Sequence, residues 1–327
     1  MKAVLITGVA GFIGSNLAET LLERGYRVIG LDNLTQGFLR NIAGFQHHPA
    51  FEFHEGDVRD AHTVETSIGR ADCIVHLAAF KIPRYGNAMD TLVINTHGTH
   101  NILHYAAKRG CRVILASTSD VYGRNPDLPF REDSAMVMGP SSVPRWAYAV
   151  SKMYNEHLCF AYQEECGVPV VIIRFFSGYG PRQNTTWWGG PQAVFINAAL
   201  HDELMEIHGD GRQTRSFTYI SDHVDGVIRC IERDEAVGQV FNLGHTEEIA
   251  IFDLAMLIWR LCGQGEPKYR LISYRSFGRY EDVRRRVPDI SKATTLLGFQ
   301  PKIGLEEGLL RTIAWHRSLA DTVTSQR

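Results

Sequence analysis

Ala3-Val4-Leu5-Ile6-Thr7-Gly8-Val9-Ala10-Gly11-Phe12-Ile13-Gly14, near the start of a chain of 327 residues, decides the fold. An apolar run meets Gly-x-x-Gly-x-x-Gly, and residues 13–24 then place apolar side chains on one helical face. In a strand–turn–helix context such glycines allow a tight turn and close backbone approach, and the amides at the helix start favour a pyrophosphate. Asp32 follows the next apolar run, 27–31, where a carboxylate accepts ribose hydroxyls and repels a 2'-phosphate. The cofactor expected is therefore NAD, lined by Gly8, Gly11, Phe12, Ile13, Gly14, Asp32 and Asn33. Asp57 and Val58, after Phe51–Glu55, are expected at its adenine.

Further apolar runs rich in Val and Ile lie at 73–77, 112–117 and Val170–Phe175, with amphipathic stretches at 95–108 and 147–166 between them. Near-continuous apolar strands alternating with helices predict an α/β fold, a Rossmann-type doubly wound parallel sheet covered on both faces. After Phe176 the texture turns to Gly, Pro, Asn, Thr and Trp, and a smaller C-terminal substrate-binding lobe is expected to begin. Residues 221–232 read as a helix with Ser221 as its N-cap and Gln239–Leu243 as a strand. Residues 1–176 would thus form the dinucleotide domain, 221–247 would return to it, and 177–327 would otherwise form an interleaved second lobe.

With 44% apolar residues the chain can bury a full core, and 34 Lys plus Arg against 36 Asp plus Glu leave no basic field for nucleic acid. The six cysteines show no Cys-x-x-Cys pair, and the 14 histidines fall in no ligand pattern, so neither a disulfide framework nor a metal is expected. The first residues are too short an apolar run for a signal segment, and no stretch is long enough to span a bilayer. A reducing, cytoplasmic setting without a membrane partner is the expectation.

Tyr148 and Lys152 are spaced i, i+4, which puts both on one helical face. A phenol titrating near 10 is a poor base at neutral pH, but an ammonium and an oxidised nicotinamide beside it favour the phenolate. Ser117-Thr118-Ser119-Asp120 follows the fifth strand, at the carboxyl edge where open parallel sheets bind ligands, and a hydroxyl there could orient a substrate alcohol. Taken singly, each residue has a plainer reading: a half-buried aromatic, a solvated lysine, a strand-end cap.

Together, GVAGFIG, HLAA, STSDVYG, YAVSK and GDGRQTRSFTYISD resemble the extended short-chain dehydrogenases of the sugar-nucleotide epimerase, dehydratase and decarboxylase group, from Val4 to about Leu310. The resemblance implies that Thr118 is the catalytic hydroxyl, Tyr148 the base and Lys152 its partner on the nicotinamide ribose. It places Leu77, Ala78, Ala79, Lys81, Ser117 and Phe175 along the cofactor and Asn95 in the helix beside it. Arg174 begins a segment similar to the family's R-x-F-N-x-Y-G-P-R, with Ser177 where Asn is usual and Arg182 at its end. Arg215 and Arg279 match positions that hold the diphosphate, where a planar guanidinium fork suits phosphate oxygens. Val194 and Phe195 match the stretch along the base. Relatives pair the helices matching 95–108 and 147–166 about a two-fold axis, implying a homodimer.

Asp120 stands where relatives that decarboxylate or dehydrate carry Glu, a carboxylate able to manage a second proton. Oxidation at C4 of a uronate makes a β-keto acid, so decarboxylation asks least of the protein, and the C-terminal half is similar to UDP-glucuronate decarboxylases. The balance falls there, on a UDP-linked substrate. The alternatives are a UDP-glucuronate or UDP-glucose 4-epimerase, which Arg174-Phe175-Phe176-Ser177 and Arg182-Gln183 resemble, a 4,6-dehydratase, and a non-catalytic NAD sensor. An NADP-dependent reductase fits Asp32 poorly.

Overall fold

The computed structural model describes residues 2–81, 87–263, 265–278 and 280–324. Strands β1 (Ala3–Thr7), β2 (Arg27–Asp32), β3 (Phe51–Glu55), β4 (Cys73–His76), β5 (Arg112–Thr118) and β6 (Val170–Phe175) are joined to helices α1 (Phe12–Glu23), α2 (Ala61–Ile68), α3 (Ala88–Arg109) and α4 (Trp146–Cys166). The later chain adds β7 (Gly178–Tyr179), α5 (Pro191–Leu200), β8 (Met205–His208), β9 (Thr214–Ser216), β10 (Thr218–Tyr219) and α6 (Ile220–Glu232). It closes with β11 (Gln239–Leu243), β12 (Glu248–Ala250), α7 (Ile251–Leu261), β13 (Tyr269–Ile272), α8 (Ser291–Leu297) and α9 (Leu305–Thr324).

Seven strands form one parallel sheet in the order β11-β6-β5-β4-β1-β2-β3. Alternate residues explain its two covered faces. Val4, Ile6, Val28, Val75 and Ile173 join one apolar cluster with Leu17 and Leu21 of α1 and Val227 and Ile231 of α6. Leu5, Ile29, Ile74, Val113 and Ile172 join the other with Val64 of α2, Ile102 and Leu103 of α3 and Cys159 of α4. A period of two with both phases apolar is the sequence form of a sheet between helical layers.

Because β1 sits between β2 and β4, the order reverses there and the two strand ends part, opening a crevice at the carboxyl edge. The pairs β7 with β10, β9 with β12 and β8 with β13 form three small sheets, whose residues wall that crevice. Several boundaries differ from expectation. Helix α3 begins at Ala88 rather than near Asn95, because the Asn87 side chain accepts from the amides of Met89 and Asp90. Strands β2 and β5 each run one residue further, so Asp32 and Thr118 are strand residues. Ser221 does not cap α6. Strand β10 runs directly into the helix with extended Tyr219 as N-cap, and Ser221 lies inside the first turn. Among the described residues no helix is long and apolar enough to cross a membrane.

His76 and His223 are buried; burial pushes their imidazoles down to about 3 and about 4. They stay neutral when folded, whereas in the unfolded chain they take a proton below about 6.5. Their stabilisation is full above that pH and declines as pH falls toward the folded values. Thermal denaturation should lose about 2 kcal/mol per histidine between pH 7 and pH 5; a flat profile across that window would exclude neutral burial.

Candidate active site

The crevice is a cleft of about 930 Å³. Its first wall is the glycine loop. A Cβ on Gly14 would lie 2.2 Å from the Gly8 carbonyl oxygen, and one on Gly8, at φ +75°, 2.9 Å from the Ala78 amide. Only glycines let the helix start, the loop and the β4 end meet this closely. Asp32 accepts from the amides of Ala10 at 2.9 Å and Leu34 at 2.8 Å, one on each oxygen. Burial pushes its carboxyl up against those two bonds. Gly37 completes the pocket, since a Cβ there would lie 2.8 Å from both Asp32 oxygens. The glycine cradle and a buried carboxylate with remaining lone pairs fit NAD and oppose a 2'-phosphate.

Asp57 reaches the cleft already engaged. Arg59 donates to it through Nε at 3.0 Å and a terminal nitrogen at 2.8 Å, and Asn33 donates at 2.9 Å. Its carboxyl is held down to about 2, chiefly by Arg59. Asn95 stands behind the wall: its side chain accepts from the Phe80 amide at 2.7 Å and donates to Ser151 Oγ at 2.9 Å, tying the β4 end to α4.

Thr118, Tyr148 and Lys152 meet at the floor of the cleft. Thr118 Oγ1 donates to Asp120 at 3.3 Å and accepts from the Asp120 amide at 3.2 Å. Lys152 Nζ donates to the Ala116 carbonyl at 2.7 Å, and burial pushes its ammonium down to about 8. The Tyr148 phenol is pushed up, by burial first and then by Asp120, while Thr118 and Arg286 oppose this more weakly. Against the sequence-based expectation, burial outweighs the nearby cations, and the phenolate requires the positive charge of an oxidised nicotinamide.

Asp120 is the least expected part. Against the burial that would raise it, Arg286, in direct ion pair, and Arg145 at 3.5 Å hold its carboxyl far below the usual range. Arg145 also lies 3.9 Å from Asp282, which accepts from Arg215 at 2.9 Å. The Nε atoms of Arg145 and Arg286 are buried without a partner among the described residues. The resemblance implies only a phosphate role for Arg215, which here pairs with Asp282, and Arg286 belongs to the run Arg284-Arg285-Arg286. Arg284 and Arg285 do pair on the surface with Asp210 and Glu248, while Arg286 turns inward. Arg145 carried a legible signal, three residues before Tyr148 and so one helical turn away.

Ser177, Arg182 and Phe175 also line the cleft. Arg182 grips Glu19 at 2.7 and 2.8 Å and the Ser15 carbonyl at 3.1 Å, so its guanidinium is bound to α1. Val194 and Phe195 do not belong to the cleft lining, and Phe195 is fully buried. Helix α5 turns its apolar side into the core, with Ile196 and Ala199. Arg279 lies outside the described residues. Segment 184–190 overhangs the cleft with Trp187 stacked on His208 at 4.0 Å and Trp188 edge-on to Phe80 at 5.2 Å.

Residues 5–312 match the family model described as GDP-mannose 4,6 dehydratase. A UDP-N-acetyl-alpha-D-glucosaminuronate decarboxylase of Bacillus cytotoxicus is 35% identical over 97% of this chain and 98% of its own length. UDP-glucuronic acid decarboxylase 1 of Xenopus tropicalis is 39% identical over 97% of this chain and 72% of its own. The crystal structure of a UDP-glucuronic acid 4-epimerase from Bacillus cereus, in complex with UDP-glucuronic acid and NAD, superposes with a TM-score of 0.88 at 29% identity, over 97% of this chain and 99% of that one.

Asp32→Ala removes the acceptor that closes the glycine loop. NAD affinity measured by titration calorimetry should fall roughly ten- to hundredfold, with the preference over NADP narrowed; unchanged NAD affinity would remove Asp32 from the site.

Proposed function

Since the chain belongs to the GDP-mannose 4,6-dehydratase family, within the extended short-chain dehydrogenase group of NAD-dependent sugar-nucleotide enzymes, we propose that it decarboxylates a UDP-linked hexuronate. One observation carries this reading: Asp120, a carboxylate beside Thr118 in the cleft, shares Arg286 and Arg145, whose Nε groups have no partner among the described residues. Two guanidiniums around one carboxylate leave capacity for a second anion at the floor of the cleft, where a hexose hydroxymethyl would waste it. The decarboxylase relatives at 35% and 39% identity support the same reading.

Bound NAD would supply the hydride acceptor for C4 and the charge that draws the Tyr148 proton off. Thr118 Oγ1 orients the C4 hydroxyl and Tyr148 takes its proton, leaving a ketone β to the C6 carboxylate. The C5–C6 bond then breaks, carbon dioxide leaves, and the electron pair moves to the C4 oxygen as an enolate. The Tyr148 phenol and the Thr118 hydroxyl donate to that oxygen, and C5 takes a proton from water, giving the 4-keto sugar; return of the hydride to C4 with the Tyr148 proton would give the UDP-pentose. Asp120 promotes the break by competition, since the substrate carboxylate must share its two arginines while neutral carbon dioxide need not. Arg215 serves the diphosphate, with Lys152 on the nicotinamide ribose.

The reading includes a homodimer in the cytoplasm. Met89, Leu92 and Val93 of α3 and Val150 and Tyr154 of α4 are exposed apolar side chains on the two helices that would pair, and all six cysteines are free thiols. A 4-epimerase is the second reading, supported by the small Ser177 in the cleft and the epimerase likeness.

Incubation with NAD and UDP-glucuronate or UDP-N-acetylglucosaminuronate should release carbon dioxide and give a UDP-pentose or its 4-keto form by NMR; UDP-galacturonate without gas would make it an epimerase. Tyr148→Phe should lower kcat by roughly 10²–10⁴-fold with NAD still bound. Asp120→Asn should slow carbon dioxide release about a hundredfold while C4 hydride exchange persists, and equal release would remove Asp120 from the break.

A further inference from the structure

Behind the floor of the cleft lies a second buried charge network that the reaction above does not use. Glu156 stands four residues after Lys152, on the same face of α4. Its carboxylate accepts from Arg174 Nε at 3.0 Å and a terminal nitrogen at 2.7 Å, and from Ser117 Oγ. Ser117 and Arg174 are register partners across β5 and β6. Arg174 also donates to Tyr122 Oη and the Glu132 carbonyl, both at 2.9 Å, and Tyr122 donates to Asn242 of β11 at 2.7 Å. Helix α4 therefore grips consecutive residues at the end of β5: Lys152 holds the Ala116 carbonyl and Glu156 holds Ser117.

We propose that Glu156, held by Arg174, is a positioning residue for Lys152: it fixes the Lys152 turn of α4 to the end of β5 and supplies the negative charge that keeps the buried ammonium protonated. A buried ion pair is rarely a net gain in stability over an apolar pair of the same shape. The Arg174–Glu156 pair is 3% and 4% exposed at its side chains, so its retention finds a reason in the lysine one turn away. The other groups around that ammonium give less help. Cys159, the next turn of α4, is kept a neutral thiol by burial, and His76 at the end of β4 is kept neutral. Tyr148 is a phenol until the positive charge of the cofactor arrives. Asp120 is bound to two arginines, Arg286 and Arg145, whereas Glu156 is bound to one, Arg174. Arg174 is paired with Glu156, one turn along α4 from Lys152.

This inference rests on Tyr148 and Lys152 doing the chemistry proposed above, so Tyr148→Phe is assayed alongside: full activity in that variant would end the catalytic reading, whatever Glu156 does. With Tyr148→Phe inactive, the readout is the alkaline limb of kcat/KM, expected near pH 8, where burial has brought Lys152. In Glu156→Gln, which keeps the reach and removes the charge, the limb moves about one unit lower. In Glu156→Asp, which keeps the charge and shortens the reach, the limb stays and kcat falls roughly tenfold. Should Glu156→Gln leave Arg174 a buried charge too poorly matched to fold, Glu156→Gln with Arg174→Met leaves no unmatched ion, and its limb also falls below that of the native chain. Circular dichroism and NAD affinity confirm that each variant is folded. A limb in the Gln variants that coincides with the native one, or an equal shift in Glu156→Asp, overturns the proposal, since a structural role alone lowers activity at every pH without moving the limb.

Discussion

The Gly8 carbonyl oxygen is the point on which the crevice depends. It sits where a Cβ on Gly14 would be, 2.2 Å away, and Gly8 itself lies against the Ala78 amide. With any side chain at either place α1 would stand off from the sheet, the amides at its start would no longer face the parting of β1 and β4, and the Asp32 carboxylate would lose the Ala10 amide it holds. A dinucleotide site is in this sense a place where backbone approaches backbone, and the helical and strand layers on both faces serve to hold that approach rigid.

Two charge networks flank the Tyr148 and Lys152 pair, to opposite ends. On the cleft side Asp120, Asp282, Arg145, Arg215 and Arg286 form a cluster rich in cations, with buried N–H groups to spare. Such a cluster is costly without an anionic ligand and favourable with one, which is how a site selects charge. On the far side Ser117, Glu156, Arg174, Tyr122 and Asn242 satisfy one another across β5, β6 and β11. That network, of which only Ser117 reaches the cleft, holds the strand ends and α4 in register. Tyr148 and Lys152 lie between the two, and their proton affinities answer to both.

Burial also sets the chemistry of the base. An ammonium four residues away is commonly credited with lowering the phenol, yet in this fold desolvation and Asp120 raise Tyr148. The apoprotein therefore rests with a neutral phenol, and proton removal becomes linked to the arrival of positive charge in the cleft. This linkage protects the enzyme from carrying a buried phenolate when no cofactor is present.

What the sequence determined by itself is what short range encodes. The glycine spacing, the apolar strands, Asp32 after the second of them, and the Tyr148 and Lys152 pair each lie within a few residues of their context, where strand and helix periodicity turn spacing into geometry. The tertiary structure decided the rest. Ser221 looked like a cap because the polar residue before an apolar run commonly is one, but β10 enters the helix directly. Val194 and Phe195 match the stretch along the base by resemblance, but neither lines the cleft and Phe195 is packed in the core. Arg286 ends a run of three arginines whose other two pair at the surface, and it meets Asp120 across 166 residues of chain. No local pattern records such a meeting, because which side chain of an arginine run turns inward depends on a sheet edge that exists only after strands distant in sequence have paired.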